Sequence, residues 1–467
     1  MIRVLFSVLT IISTLWQLGC SGNVEAPSQP TQQAPGSAST LPGAETGIPA
    51  WVGDRPDEPF DVKAFLESRE PPVDDTAAQY FAGLAELCNE MDFVYPLAER
   101  EAHLKKVRVV SERIFNLSDR EKLLAGTVSL AELEEVLAIT RPALQKLDHA
   151  QANGPCIFVT GMRPESLLPH AQAARLIGQL AQLEIFHASA TNDFEMAEKA
   201  VERTLRLARD LRPRGPGISQ LVSVSIAGVT LTAVNDFMLA IPSLDPNHCD
   251  RLLAILKEHE DTSIAAFEEG VRMQYIIERN IIDDFHQGRR THLNPFNMEN
   301  ELNALNEIYS QLLDAAPRPY HEVLPKIGSL GTQLEQIKSQ GVYIVPLILT
   351  DFDGLRAAEA RDATRLRACE SLIIVSRYMC LHGQPPADLE TAFREVAQAA
   401  VPIDPYSGQP LRYTILKGRP TVYSVGADQK DDGASIDWKL GKLSGDFIFT
   451  IGPLTQTEIS HDRDGSK

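Results

Sequence analysis

The sequence predicts a mainly α-helical protein of antiparallel helical hairpins, in part like tetratricopeptide units, closed by a small C-terminal α+β segment. Three observations carry that expectation. Apolar residues recur at three-and-four spacing through most of residues 60–384. Helix start and stop signals flank those stretches. Near residue 400 the pattern changes to Pro and Gly turns around aromatic and β-branched runs.

In chain order, residues 1–20 read "MIRVLFSVLTIISTLWQLGC": Arg3, an apolar run from Val4 to Leu18, then Gly19-Cys20. A short positive start followed by an apolar run predicts a secretory signal. The "LGC" ending resembles the lipobox of bacterial lipoproteins, which implies that Cys20 is lipidated and becomes the new N-terminus. Gln17 departs from the aliphatic residue usual three before that Cys. An ordinary signal peptide or an uncleaved anchor is the alternative. The expectation is an exported protein held to a bacterial membrane, on the periplasmic or outer-membrane side. Residues 21–59 are rich in Pro, Ser, Gln and Gly, which predicts a disordered linker. A flexible chain of about 40 residues reaches on the order of 35 Å, enough to hold a folded body clear of the bilayer.

The formal charge is −19, from 63 acidic and 44 basic residues. A field of that sign repels nucleic-acid phosphate, and no basic cluster with interleaved aromatics offsets it. Nucleic acid is therefore not an expected partner. Besides Cys20 there are five widely spread cysteines, an odd number that does not read as a disulfide framework.

Residues 60–384 form the predicted helical domain. "TAAQYFAGLAELCNEM" places Tyr80, Leu84, Leu87 and Met91 on one face. Capping boxes open two helices, Ser129 with Glu132 and Asn192 with Glu195. The second helix pairs with the preceding "AARLIGQLAQLEIFHAS" as a hairpin that looks like a tetratricopeptide unit, with Ala197 and Ala200 allowing close packing. Asp245 and Pro246 predict the next start, and 353–382 reads as one helix ended by Gly383. The apolar run 218–241 suits either a core helix buried on all sides or a membrane span; Gln220, Asn235 and Asp236 interrupt it.

Residues 385–455 are the predicted α+β tail, with strands in "LRYTIL", "TVYSVG" and "DFIFTI" and a hairpin turn at "KGRP"; 456–467 reads as a disordered end. Here "DPYSGQPLRY" and "YSVGADQKDDGASIDW" resemble the C-terminal part of type II secretion major pseudopilins. Asp404, Pro405, Gly408, Pro410, Tyr423, Ser424, Gly426, Asp428 and Gly433 stand at matching places. A similar tail ends many uncharacterised helical proteins of planctomycete type. The resemblance implies a calcium loop, with Ser424, Asp428, Asp431 and Asp432 as candidate ligands. Thr421 stands where the family often has an Asp, and the lipoprotein-like start replaces the polymerising helix of a true pseudopilin. The alternative for the loop is a solvated acidic turn whose Asp side chains bond their own backbone.

No phosphate loop, nucleophile elbow, zinc-protease motif or C-x-x-C is present. "EEGVRMQYIIERNIIDDFHQGRR", if helical, sets Arg272, Tyr275, Arg279, Asp283 and His286 beside an apolar stripe of Met273, Ile276, Ile277, Ile281 and Phe285. Such a stripe lines an acid–base groove or is a solvated face of ion pairs. The leading expectation is a non-enzymatic, membrane-anchored envelope scaffold that binds protein partners. An envelope enzyme using that groove, or a calcium-dependent adaptor linked to secretion-like machinery, is the alternative.

Overall fold

A computed structural model of the chain describes residues 48–452, apart from 69–74, 89–94, 157, 159–161, 163–167, 214, 242–244, 261–262, 291–296, 324–328 and 436–444. The signal segment, Cys20, residues 21–47 and the chain from 453 onward lie outside the described residues. The protein is mainly helical with a small three-stranded antiparallel sheet near the C-terminus.

Residues 48–59, expected as the end of the tether, instead form a turn-rich strap on the body. Trp51 is buried. Its indole N–H donates to Asn280 Oδ1 at 2.7 Å, and the Arg279 guanidinium lies 4.7 Å above its ring. The strap runs into α1 (Val62–Glu67), capped by Asp61 and burying Val62, Phe65 and Leu66. Average composition hides this because one aromatic side chain carries a large apolar area and a polar handle.

The body then builds α2 (Asp75–Ala85), α3 (Leu97–Leu117), α4 (Leu130–Ala152), α5 (Pro169–Thr191), α6 (Phe194–Leu211) and α7 (Gly217–Ala233). Ser129 caps α4 as its sequence predicts, accepting the Glu132 N–H at 3.4 Å. The α5–α6 hairpin forms with Ala197 and Ala200 buried in it. Its cap is one residue later than predicted. Asn192 takes a left-handed conformation, φ 58°, and closes α5, while Asp193 accepts the Met196 N–H and opens α6. Asn tolerates that conformation, so the same residue type that caps a start here serves a stop.

Helix α7 is the one described helix long and apolar enough to span a membrane, and most of it is buried. It packs against α5 and α6. It ends in a π turn, Val234–Met238, whose Asn235 carbonyl accepts the Gly452 N–H of the tail at 3.1 Å. Arg120 grips Asp236 in that turn with bonds of 2.6 and 2.9 Å.

Beyond it come α8 (Pro246–Glu260), α9 (Ser263–His286), α10 (Met298–Ala315) and α11 (Phe352–His382). Helix α11 ends at left-handed Gly383, φ 71°. It returns across α7 and lies antiparallel to α8, held by Arg377–Asp250 at 2.6 Å and Arg367–Glu260 at 2.9 Å. The helices therefore close on themselves rather than running on as an open stack. Two main cores result. The larger joins α2 to α8 with the C-terminal half of α11. The other packs α9 and α10 with the start of α11 beneath the strap. Arg212 lies where α6, α7 and α11 meet, bonded to Ser223 at 2.7 Å, Glu359 at 3.0 Å and Asp362 at 2.6 Å.

The tail sheet, β1 (Arg412–Leu416), β2 (Arg419–Ser424) and β3 (Phe447–Thr450), is antiparallel in that order and packs on α11. Lys417 and Gly418 both have positive φ, 50° and 79°, the two-residue turn that matches strand twist. Among the described residues no disulfide forms; Cys88, Cys156, Cys249 and Cys369 are buried and Cys380 is exposed.

Candidate functional site

The predicted stripe on α9 is not brought together in one groove: only Arg272 lines an open cleft, beside Phe60 and Phe65. Tyr275 is buried, its hydroxyl donating to Asn306 Oδ1 at 2.9 Å, and burial pushes it above the ordinary tyrosine range. Arg279 is buried under Trp51, and Arg272 lies over the Phe60 ring. Asp283 pairs with Arg289 at 3.0 Å, while His286 is exposed at the helix end. The spacing correctly gives one helix, and the apolar set Met273, Ile276, Ile277 and Ile281 is buried. Spacing alone does not reveal that the strap covers the neighbouring stripe. Glu278 on this helix is fully buried, accepting from Thr350 N–H at 2.9 Å, Thr350 Oγ1 at 3.0 Å and Gln274 at 3.1 Å. Desolvation pushes its carboxyl up to about 7.

The four residues proposed for calcium make the following contacts within the tail. Ser424 donates to Asp404 Oδ1 at 2.7 Å inside the tail. Asp428 accepts the Lys430 N–H at 3.2 Å and the Gly445 N–H at 3.4 Å. Asp431 accepts the Gly433 N–H at 2.9 Å and pairs with Arg412. The Asp432 carbonyl accepts from Ser435, and its N–H points at Asp446. Among the described residues no group of three or more His, Cys, Asp or Glu side chains is set to hold a metal ion. The Asp428 and Asp431 carboxylates accept backbone N–H groups, the pattern of an acidic turn that bonds its own backbone. The organisers of the tail are Asp404 and Asp446, both buried. Asp404 also accepts from Tyr406 N–H at 3.0 Å and Ser407 Oγ at 2.8 Å. Asp446 accepts the Ala434 N–H at 2.8 Å, and burial raises its carboxyl. Each carboxylate ties the turn inward through backbone N–H groups.

An open cleft of about 510 Å³ lies between α4, α5 and α6. Its floor is Arg203, buried and gripped by Asp148 at 2.6 Å and Glu184 at 2.7 Å. Two carboxylates raise the guanidinium above its ordinary value, while burial raises the Glu184 carboxyl. Lys199 adds a 3.0 Å contact to Asp148 from the rim. Arg141 and Glu134 stand exposed on α4, and His187 Nε2 lies 3.5 Å from Glu134 Oε1. The other ring nitrogen, Nδ1, is buried with no hydrogen-bond partner among the described residues. Leu137, Leu144 and Met196 supply apolar wall. Three cations face three anions, so the cleft is electrically mixed. Its floor is already paired and needs no rearrangement to receive a ligand. Sequence reasoning missed these residues. The available signal was Glu184 and His187 inside the apolar run "LIGQLAQLEIFHAS" of helix α5, where charge interrupts an otherwise buried face.

Comparison with family models, curated proteins and solved structures finds no match.

Proposed function

We propose that this is an exported, membrane-anchored helical interaction protein of the cell envelope, which docks a segment of a partner protein in the α4–α5–α6 cleft. The single observation that carries the reading is the preformed cleft over the Arg203 ion-pair floor. A polypeptide segment carrying both charges suits it. Arg141 and Lys199 meet carboxylates, Glu134 meets donors, and the Leu137–Leu144–Met196 wall takes an apolar side chain. Charge placed this way sets register and partner choice more than raw affinity. The N-terminal signal with Cys20 supports the envelope location, and the pseudopilin-like tail is consistent with it.

The test is site-specific photo-crosslinking in the producing cell, with the photoreactive residue at Gln145 or Met196 in the cleft and at Lys338 as a remote control. Discrete protein adducts from the cleft positions, absent at the control, are expected. Adducts at neither cleft position, or equal adducts at all three, would remove this reading.

A further inference from the structure

We propose that the partner segment in the α4–α5–α6 cleft is an amphipathic helix, laid over the mouth in coiled-coil-like register with α4; this rests on the docking role proposed for that cleft. The observation behind it is a spacing. Five of the six α4 residues that line the cleft are Glu134, Leu137, Arg141, Leu144 and Asp148. They stand three and four positions apart in strict alternation. That repeat is how one helix presents a continuous seam to another. On the α6 wall Met196, Lys199 and Arg203 follow the same three-then-four spacing. Both seams front one open cleft of about 510 Å³.

Two helical walls with this repeat select a helical occupant over an extended one. A helix carries side chains at the same three-and-four spacing with about 1.5 Å rise per residue, so it meets the wall position by position. A strand rises about 3.3 Å per residue and turns every second side chain away. The cleft receives the side chains of a helix lying across it, the helix-in-groove mode of recognition.

The walls also set which side chains enter. Asp148 is held by Arg203 at 2.6 Å and Lys199 at 3.0 Å, so that end of the cleft is already paired and takes an uncharged residue. Arg141 stands exposed at mid-seam and makes no ion pair or hydrogen bond among the described residues. Leu137 and Leu144 flank it on the seam, buried in the wall. An acidic residue with an apolar neighbour on each side, three and four positions away, matches that trio. Glu134 is exposed one heptad from Arg141, with His187 Nε2 3.5 Å away, and takes a Lys or Arg. The face of the occupant therefore reads basic, apolar, acidic, apolar at heptad spacing.

The experiment is fluorescence anisotropy on the purified full-length chain in detergent. The probe is a labelled Ala-rich helical peptide with Lys, Leu, Glu and Leu at alternating three- and four-residue spacing. Saturable binding is expected, lost when the four residues are shuffled to two-residue spacing or when a central Pro breaks the helix. Wild type should bind this peptide about tenfold tighter than one in which the Glu is replaced by Lys, because that Lys faces Arg141. Arg141→Glu should invert the preference. No saturable binding, equal binding of the shuffled peptide, or indifference to the charge swap overturns the helical occupant. Undiminished binding of the Pro peptide would make the occupant an extended segment, and cleft adducts joining two copies of this chain would make it a self-contact; either overturns the proposal. Cleft adducts to a partner in cells, with no effect of the charge swap, would remove the helix and leave the docking role. Absence of cleft adducts would remove both.

Discussion

Two faces of the helical body carry the same kinds of residue and meet opposite fates. On α9, Arg279, Tyr275 and Glu278 sit beneath the strap, with Trp51 over the guanidinium and Thr350 on the carboxylate. Between α4, α5 and α6, Arg203, Glu184 and Asp148 are as tightly engaged, yet a cleft of about 510 Å³ opens above them. The pattern of charges within each helix does not distinguish the two. What distinguishes them is whether another segment lies on top, and that segment is remote in sequence: Trp51 and Asn280 are bonded across 229 positions. A covering segment closes the first face; without one, the second stays open above its buried floor.

The largest expected effect tests whether the cleft floor is a fixed ion-pair network. Arg203→Met strands Glu184 in the interior beside Asp148, and stability should fall by about 3–5 kcal/mol in urea titrations. A loss under about 1 kcal/mol would mean that the floor rearranges freely and is not a rigid base. On the covered face, Trp51→Ala removes an aromatic anchor, its hydrogen bond and its cation contact. The expected cost is about 3 kcal/mol, seen as new protease cleavage near residues 52–60 and exposure of Tyr275 to solvent quenchers.

The third test uses pH. Glu278 is raised to about 7 in the folded protein against an ordinary 4.5. Below pH 4.5 both states hold the proton; between 4.5 and 7 only the folded state does. Stability should therefore fall as pH rises through that window, by up to about 3 kcal/mol, and level off above it. Glu278→Gln should remove that slope. Asp210, bonded to Tyr80 at 2.5 Å and raised to about 6, adds to the same limb. The acid limb comes from His170 and His259, buried and lowered to about 3 and about 4. They stay neutral in the fold while the unfolded chain charges near 6.5, so stability falls as pH drops below that value. The smallest effect belongs to the rim: Lys199→Ala, an exposed partner of Asp148, should change stability by less than about 0.5 kcal/mol. Any larger binding defect from it would then be assigned to the cleft.

Much of this architecture is legible in the sequence because local chemistry decides it. Ser129, Asp245 and Gly383 mark helix ends where the structure has them. Lys417-Gly418 turns the hairpin because that turn needs two positive φ angles, which glycine supplies readily. The misses share a cause. Asn192 serves as a left-handed stop because its neighbour Asp193 is an equally good cap, and no local rule ranks the two. Trp51 disappears in a polar average. The cleft comes from three helices meeting, so no single stretch announces it.

The most direct measurement is hydroxyl-radical footprinting of Met196 and Trp51, on the purified full-length protein and on the producing cells. In the purified protein Met196, in the open cleft, should oxidise much faster than Trp51 under the strap. In cells Met196 should become protected while Trp51 stays unchanged, as expected if a partner occupies the cleft. Equal oxidation of Met196 in both settings would contradict a docking role for the cleft, and rapid oxidation of Trp51 would contradict the strap that separates the two faces.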